Sequence, residues 1–222
     1  MHLEAVRERI AKAAERAGRS SEGITIVAVT KTHPPSVVLH ARALGLLDVG
    51  ENKVQEALGK QEQLAGETDL RWHLIGHLQR NKAKHAVGRF ALIHSLDSIR
   101  LADVLEREAA EQDITQDVLI QVNVAKEEQK SGVAIEELDA LVEHTMKQRH
   151  LALKGFMTMA PFTDDDRAIR RAFRELSGIG HRASGIGQPI LSMGMSSDYE
   201  IAVEEGATML RLGTILFGER RP

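Results

Sequence analysis

The sequence predicts an α/β protein: a single (β/α)8 barrel of the TIM type with an additional N-terminal helix. Three observations carry that expectation. Eight short apolar segments, rich in β-branched residues, recur along the chain and read as parallel strands buried on both faces. Helical apolar patterns alternate with them. No strand candidate is followed by G-x-G-x-x-G, the glycine fingerprint of the open doubly wound sheet that is the alternative closure. The length of 222 residues suits a bare barrel, for which about 250 residues is typical. No linker, low-complexity tract or close repeat interrupts it, so residues 1–222 read as one domain.

The elements follow in order. Leu3, Val6, Ile10, Ala13, Ala14 and Ala17 recur at three and four residues and predict a leading helix that Gly18 stops. Ile24–Thr30 is the first strand, and Pro34 and Pro35 suit the first turn of the next helix. Later strands are predicted at Leu46–Val49, Arg71–Ile75, Ala91–His94, Val118–Asn123, Leu153–Thr158, Pro189–Met193 and Met209–Leu212. Between them, Val54 to Leu64, Ile99 to Ala109, Leu138 to Met146 and Ile169 to Leu176 carry helical spacing. Asp164, Asp165 and Asp166 read as a solvated helix start favoured by the dipole. Ser197 to Glu200 has the pattern of a capping box for a helix ending at Gly206.

Composition narrows the function. The formal charge of −3 and 3% aromatic content offer neither the attraction nor the stacking surface expected of a nucleic-acid binder. The chain has no Cys, which removes disulfides, thiolate nucleophiles and Cys-ligated metals. No apolar run approaches the ~18 residues of a membrane span, and Met1 to Arg9 lack the apolar stretch of a signal peptide. A cytoplasmic protein with no membrane partner is expected, and the modest apolar content is compatible with a monomer.

In a barrel, function belongs at the C-terminal ends of the strands. Lys31 ends the first strand. A lysine desolvated at a barrel mouth has a lowered pKa and can attack a carbonyl, although a surface lysine can end a strand equally well. Arg211 lies among apolar residues in the last strand, where a buried Arg requires a partner. An ion pair with Glu51 and a contact to a ligand are the two readings. Ser192, Gly194 and Ser196 after the seventh strand, with Gly213 and Thr214 after the eighth, are small and polar. Such turns can bond phosphate oxygens, and many barrels hold a phosphate there. Asn52 reads first as a helix N-cap, with the barrel mouth as its alternative. His73 and His77 are spaced like a helical metal pair, but His73 lies in a strand and no Glu follows it, so no metal site is expected. Lys82, Lys84, His85 and Arg89 read as a solvated helix face. Lys126 and Lys130 read as loop charges, with Lys130 a possible second lysine at the mouth. No G-x-S-x-G motif supports a serine triad.

Six segments in order carry a family resemblance. They are Ile26–Thr32, Gly50–Glu56, His73–Lys82, Gly155–Pro161, Leu191–Ser196 and Arg211–Gly218. The chain resembles the pyridoxal phosphate homeostasis (YggS/PROSC-like, PLP-binding) family, whose single barrel is related to the N-terminal domain of alanine racemase. The resemblance implies that Lys31 forms an internal aldimine with pyridoxal 5′-phosphate (PLP). It implies Ser192, Gly194, Ser196, Gly213 and Thr214 around the phosphate, Arg211 near the pyridine nitrogen and Asn52 beside the ring. Phe156 and Thr30 depart from the Leu and Ser often found in the family, and neither change removes a polar group the cofactor needs.

PLP is anionic at its phosphate and electrophilic at its aldehyde, so it suits a Lys at one end and N–H groups at the other. An Arg beside the ring nitrogen carries fixed charge, disfavours protonation there and leaves the ring a weak electron sink. That argues against a transaminase or decarboxylase, and the resemblance implies a role in vitamin B6 homeostasis: PLP held as a reversible aldimine and buffered or delivered, with PLP-dependent apo-enzymes as partners. A weak PLP-dependent amino-acid racemase is the alternative. It needs a second base, and the one tyrosine of the chain, Tyr199, falls in a helix. A regulatory module that uses PLP as a signal is the third reading.

Overall fold

Eight parallel strands close on themselves in chain order, the last pairing with the first. The structure, a computed structural model, describes residues 3–125 and 131–218. Helix α1 (Leu3–Arg16) leads into β1 (Thr25–Val29), α2 (Pro35–Ala43), β2 (Asp48–Glu51), α3 (Val54–Gln63) and β3 (Arg71–Leu74). The short α4 (Ala83–Ala86) precedes β4 (Leu92–Leu96), α5 (Ile99–Glu111), β5 (Gln116–Gln121), α6 (Ile135–Met146) and β6 (Leu151–Met157). The chain closes with α7 (Asp166–Arg182), β7 (Ile190–Ser192), α8 (Tyr199–Glu204), β8 (Met209–Leu212) and α9 (Thr214–Phe217). This is the expected (β/α)8 barrel with its extra N-terminal helix. Among the described residues no helix is long and apolar enough to cross a membrane.

The strands separate two environments, because successive side chains point to opposite faces. Ala28, Val49, Leu74, Ile93, Ile120, Phe156, Leu191 and Leu210 face outward and join the main apolar core beneath the helices. Val27, Leu92, Leu119, Met157 and Met209 come from five different strands and form a separate cluster inside the barrel. The same alternation puts Asp48, His73, His94, Ser192 and Arg211 inside, and all five are buried. Counting on by two carries β1 from Val27 and Val29 to Lys31.

Helix α1 covers the outside of α8. Its buried face is Leu3, Val6, Ile10, Ala13 and Ala14. Arg9 pairs with Glu200 and Arg16 with Glu204, while the Arg9 guanidinium sits 5.5 Å from the centre of the Tyr199 ring. Burial of the apolar face holds the helix, since exposed ion pairs contribute little.

Three local expectations are corrected. Strand β2 is shifted two residues toward the C-terminus, because the polar Asp48 and Glu51 are both buried within it. The capping box at Ser197 does not form. The N-cap is Asp198, whose carboxylate accepts from the Met195 N–H behind it at 2.6 Å instead of capping α8. Asn52 is not an N-cap either, since that position of α3 is Lys53. The acidic start of α7 forms as expected, with Asp165 accepting from the Arg167 N–H at 2.9 Å. Lys84 and His85 are exposed. Lys126 and Lys130 lie outside the described residues.

Candidate functional site

The C-terminal ends of the strands enclose a cavity of about 600 Å³. Lys31, Asn52, Ser196, Arg211, Gly213 and Thr214 line it together, although the chain separates them by up to 183 positions. Ser192 and Gly194 do not line it. Ser192 is fully buried inside the barrel. Gly194 lies behind the turn with φ +93°, where a Cβ would come within 2.6 Å of the Ala202 side chain. Its lack of a side chain lets the β7 turn pack against α8.

Lys31 is held by its neighbours. The Thr30 hydroxyl donates to Glu51 at 2.6 Å, and Lys60 Nζ donates to the Thr30 carbonyl at 2.8 Å. On the other side, the Thr32 N–H donates to Glu56. Lys60 joins both carboxylates, at 2.7 Å to Glu51 and 2.9 Å to Glu56. Thr32 has φ +67°, a left-handed conformation that costs a β-branched residue roughly 1–3 kcal/mol and persists only where surroundings enforce it. The cluster beneath the turn supplies that enforcement. Burial raises the pKa of Glu51 against the opposing effect of Lys60. For Glu56, hydrogen bonds from Lys60 and Thr32 overcome burial and lower it.

Arg211 enters from β8. Its guanidinium donates to the Ser192 carbonyl at 2.7 Å, the Ser192 hydroxyl at 2.8 Å and the Thr158 carbonyl at 2.9 Å. The expected alternative of an ion pair with Glu51 is not formed, because Glu51 faces outward to Lys60. Burial lowers the Arg211 pKa to about 10, with the charge of Asp198 opposing the shift. It therefore remains cationic at neutral pH.

The third wall is an N–H-rich turn. Ser196 Oγ accepts from the Gly213 N–H at 3.4 Å and the Ile215 N–H at 3.3 Å, at the start of α9. These are long bonds to a neutral oxygen, at a place where the dipole favours an anionic acceptor. Gly76 shapes the opposite wall: a Cβ there would lie 2.3 Å from the Asn52 carbonyl oxygen.

Gln121, Ser131 and His33 also line the cavity and were not singled out from the sequence. Gln121 was legible by period, since it is two residues beyond the interior Leu119. Ser131 and His33 lie on loops, where no period applies. A cavity with a lysine, a buried arginine cation and an N–H-rich turn has the donors to hold a small anionic ligand. Tyr199 is 2% exposed, packs against α1 and does not line the cavity.

Comparison with known proteins agrees with this architecture. The family model described as alanine racemase, N-terminal domain, matches residues 1–221. A pyridoxal phosphate homeostasis protein of Aquifex aeolicus is 46% identical over 222 residues, covering 99% of this chain and 97% of that protein. Its counterpart in Pseudomonas aeruginosa is 42% identical, covering 97% and 93%. The structure of PipY from Synechococcus elongatus with PLP bound aligns with a TM-score of 0.82 and 36% identity, covering 94% of this chain and 100% of that one. Alanine racemase from Corynebacterium glutamicum shares the fold at 17% identity and a TM-score of 0.70, this chain covering 62% of its length. With near-complete coverage by relatives at this identity, the chain belongs to the pyridoxal phosphate homeostasis family, a branch of the alanine racemase N-terminal domain family.

Proposed function

We propose that this protein binds PLP in the mouth cavity, holds it through a reversible aldimine to Lys31, and buffers or delivers it in vitamin B6 homeostasis. The observation that carries this reading is the convergence of Lys31, Arg211 and the Ser196–Gly213–Thr214 turn on one cavity. The names of the relatives and the PLP-bound PipY structure support it. PLP supplies an electrophilic carbon when bound. Lys31 supplies the amine, and the N–H groups at the start of α9 receive the phosphate. Asn52 lies beside the ring. Arg211 offers a fixed cation to the ring nitrogen, which keeps it unprotonated and the ring a poor electron sink.

Ser192 and Gly194 act one step back, the first on Arg211 and the second on the shape of the phosphate turn. Racemisation in the alanine racemase pattern requires a tyrosine as second base, and Tyr199 is buried away from the cavity. The reading is therefore a carrier acting as a monomer in the cytoplasm, with PLP-dependent apo-enzymes as recipients. Titration of the purified protein with PLP tests it. Wild type develops an aldimine absorbance band; Lys31→Ala lacks the band but keeps the circular dichroism of the folded barrel. A wild-type protein that takes up no PLP contradicts the proposal.

A further inference from the structure

A chain of polar side chains runs through the barrel from its N-terminal end to the cavity. Arg211 Nη1 donates to Ser192 Oγ at 2.8 Å, and Ser192 Oγ lies 3.0 Å from His94 Nδ1. His94 Nε2 lies 2.9 Å from His73 Nδ1, and His73 Nε2 lies 2.9 Å from Asp48 Oδ1. Arg71, the first residue of β3, closes the far end by donating to Asp48 at 2.8 Å. Ser192 and His94 are fully buried; His73 and Arg211 are 4% exposed.

The protons along this chain follow from donor counting. Arginine only donates, so Ser192 Oγ accepts from it, and among the described residues His94 Nδ1 is the partner left to take the hydroxyl proton. Burial, reinforced by His73 and the positive charge of Arg211, holds the His94 pKa well below its ordinary range. His94 is therefore neutral, carries its proton on Nε2 and donates to His73 Nδ1. His73 then carries its proton on Nε2 and donates to Asp48. From Arg211 to Asp48 each bond points away from the cavity, and aligned bonds of this kind polarise one another.

Arg211 needs such a partner. Its hydrogen-bond acceptors are two carbonyls and one hydroxyl, with the charge of Asp198 acting on it from nearby, and a hydroxyl accepts steadily only when its own proton is directed elsewhere. We propose that Ser192, His94, His73 and Asp48 form a positioning relay for Arg211, in which Asp48 at the far end fixes the direction of each hydrogen bond and so turns the Ser192 oxygen toward the guanidinium. The cation is thereby fixed at the cavity. This deepens, and rests on, the reading that Arg211 meets the ring nitrogen of PLP.

The first test needs no ligand. Long-range proton–nitrogen NMR of the ¹⁵N-histidine-labelled wild-type protein near neutral pH should show His73 and His94 neutral and protonated on Nε2. A proton on Nδ1 of either ring, or an imidazolium at His94, overturns the relay. The second test cuts it. Folded His94→Leu should release PLP about tenfold faster, the loss expected for one hydrogen bond in a charged network, with a shifted absorbance maximum of the bound cofactor. His94→Gln, which keeps one acceptor and one donor, should restore part of both. Should His94→Leu fail to fold, Ser192→Ala interrupts the first link and should move release and spectrum in the same direction. Unchanged release and spectrum in a folded variant overturn the proposal. If wild type binds no PLP, the functional reading fails, and the ring tautomers still decide the relay.

Discussion

Lys60 Nζ lies 2.7 Å from Glu51 Oε1 and 2.8 Å from the Thr30 carbonyl oxygen, directly beneath the turn that carries Lys31. Both charges are buried, and Glu51 Oε2 has no hydrogen-bond partner among the described residues. Lys60→Met leaves that carboxylate uncompensated and should cost about 3 kcal/mol, measured by urea denaturation. Replacing both residues, as Lys60→Met with Glu51→Met, should cost less than Lys60→Met alone, because no buried charge is then stranded. A double variant no more stable than the single one would contradict the pairing.

Asp48 gives a pH dependence. Burial raises its pKa, but hydrogen bonds from Arg71 and His73 outweigh burial and bring it from the ordinary 3.8 down to about 2. A group held lower in the folded state stabilises above its unfolded value, and that stabilisation is lost as pH falls through the folded value. Asp48→Asn should therefore be about 2 kcal/mol less stable than wild type at neutral pH. The difference should shrink between pH 4 and pH 2. A constant difference across that window would show that Asp48 does not titrate as described.

Gly76→Ala places a methyl 2.3 Å from the Asn52 carbonyl oxygen. Both partners are backbone, so the two walls of the cavity must separate. The expected result is a loss of roughly 1–3 kcal/mol from overpacking together with weaker PLP retention. Equilibrium dialysis at matched stability separates the two effects. Retention equal to wild type would place Gly76 outside the binding wall.

Tyr199 is predicted to be silent. Its hydroxyl is buried without a hydrogen-bond partner among the described residues, so Tyr199→Phe removes no bond that they make. The melting temperature should stay level or rise, corresponding to within about 1 kcal/mol, and PLP retention should not change. A Tyr199-dependent racemisation of alanine would instead support the enzyme alternative.

The strands were legible because parallel barrel strands are buried on both faces and read as unbroken apolar runs; all eight expected segments overlap an observed strand. What was not legible is the polar interior. The end of β2 was missed because Gly50 and the charged Glu51 read as loop. The link between His94 and Ser192 spans 98 residues, and nothing in local spacing announces it. Arg211 was recognisable as a buried cation needing a partner, but its acceptors are a hydroxyl and two carbonyls, which carry no sequence signature. The N-cap reading of Asn52 failed for a related reason, while its alternative at the barrel mouth holds: an N-cap preference is a local rule, and the close approach of Gly76 is a tertiary one. The four-residue α9 is too short to show a helical period, although Gly213 and Thr214 at its start were singled out by chemistry.

The central claim is that Lys31 is the residue that holds PLP. Borohydride reduction of the PLP-loaded protein, followed by proteolysis and mass spectrometry, tests it most directly. The account predicts one phosphopyridoxyl group, on the peptide containing Lys31, and none in Lys31→Ala. Labelling concentrated on another lysine, or undiminished labelling in Lys31→Ala, would contradict it.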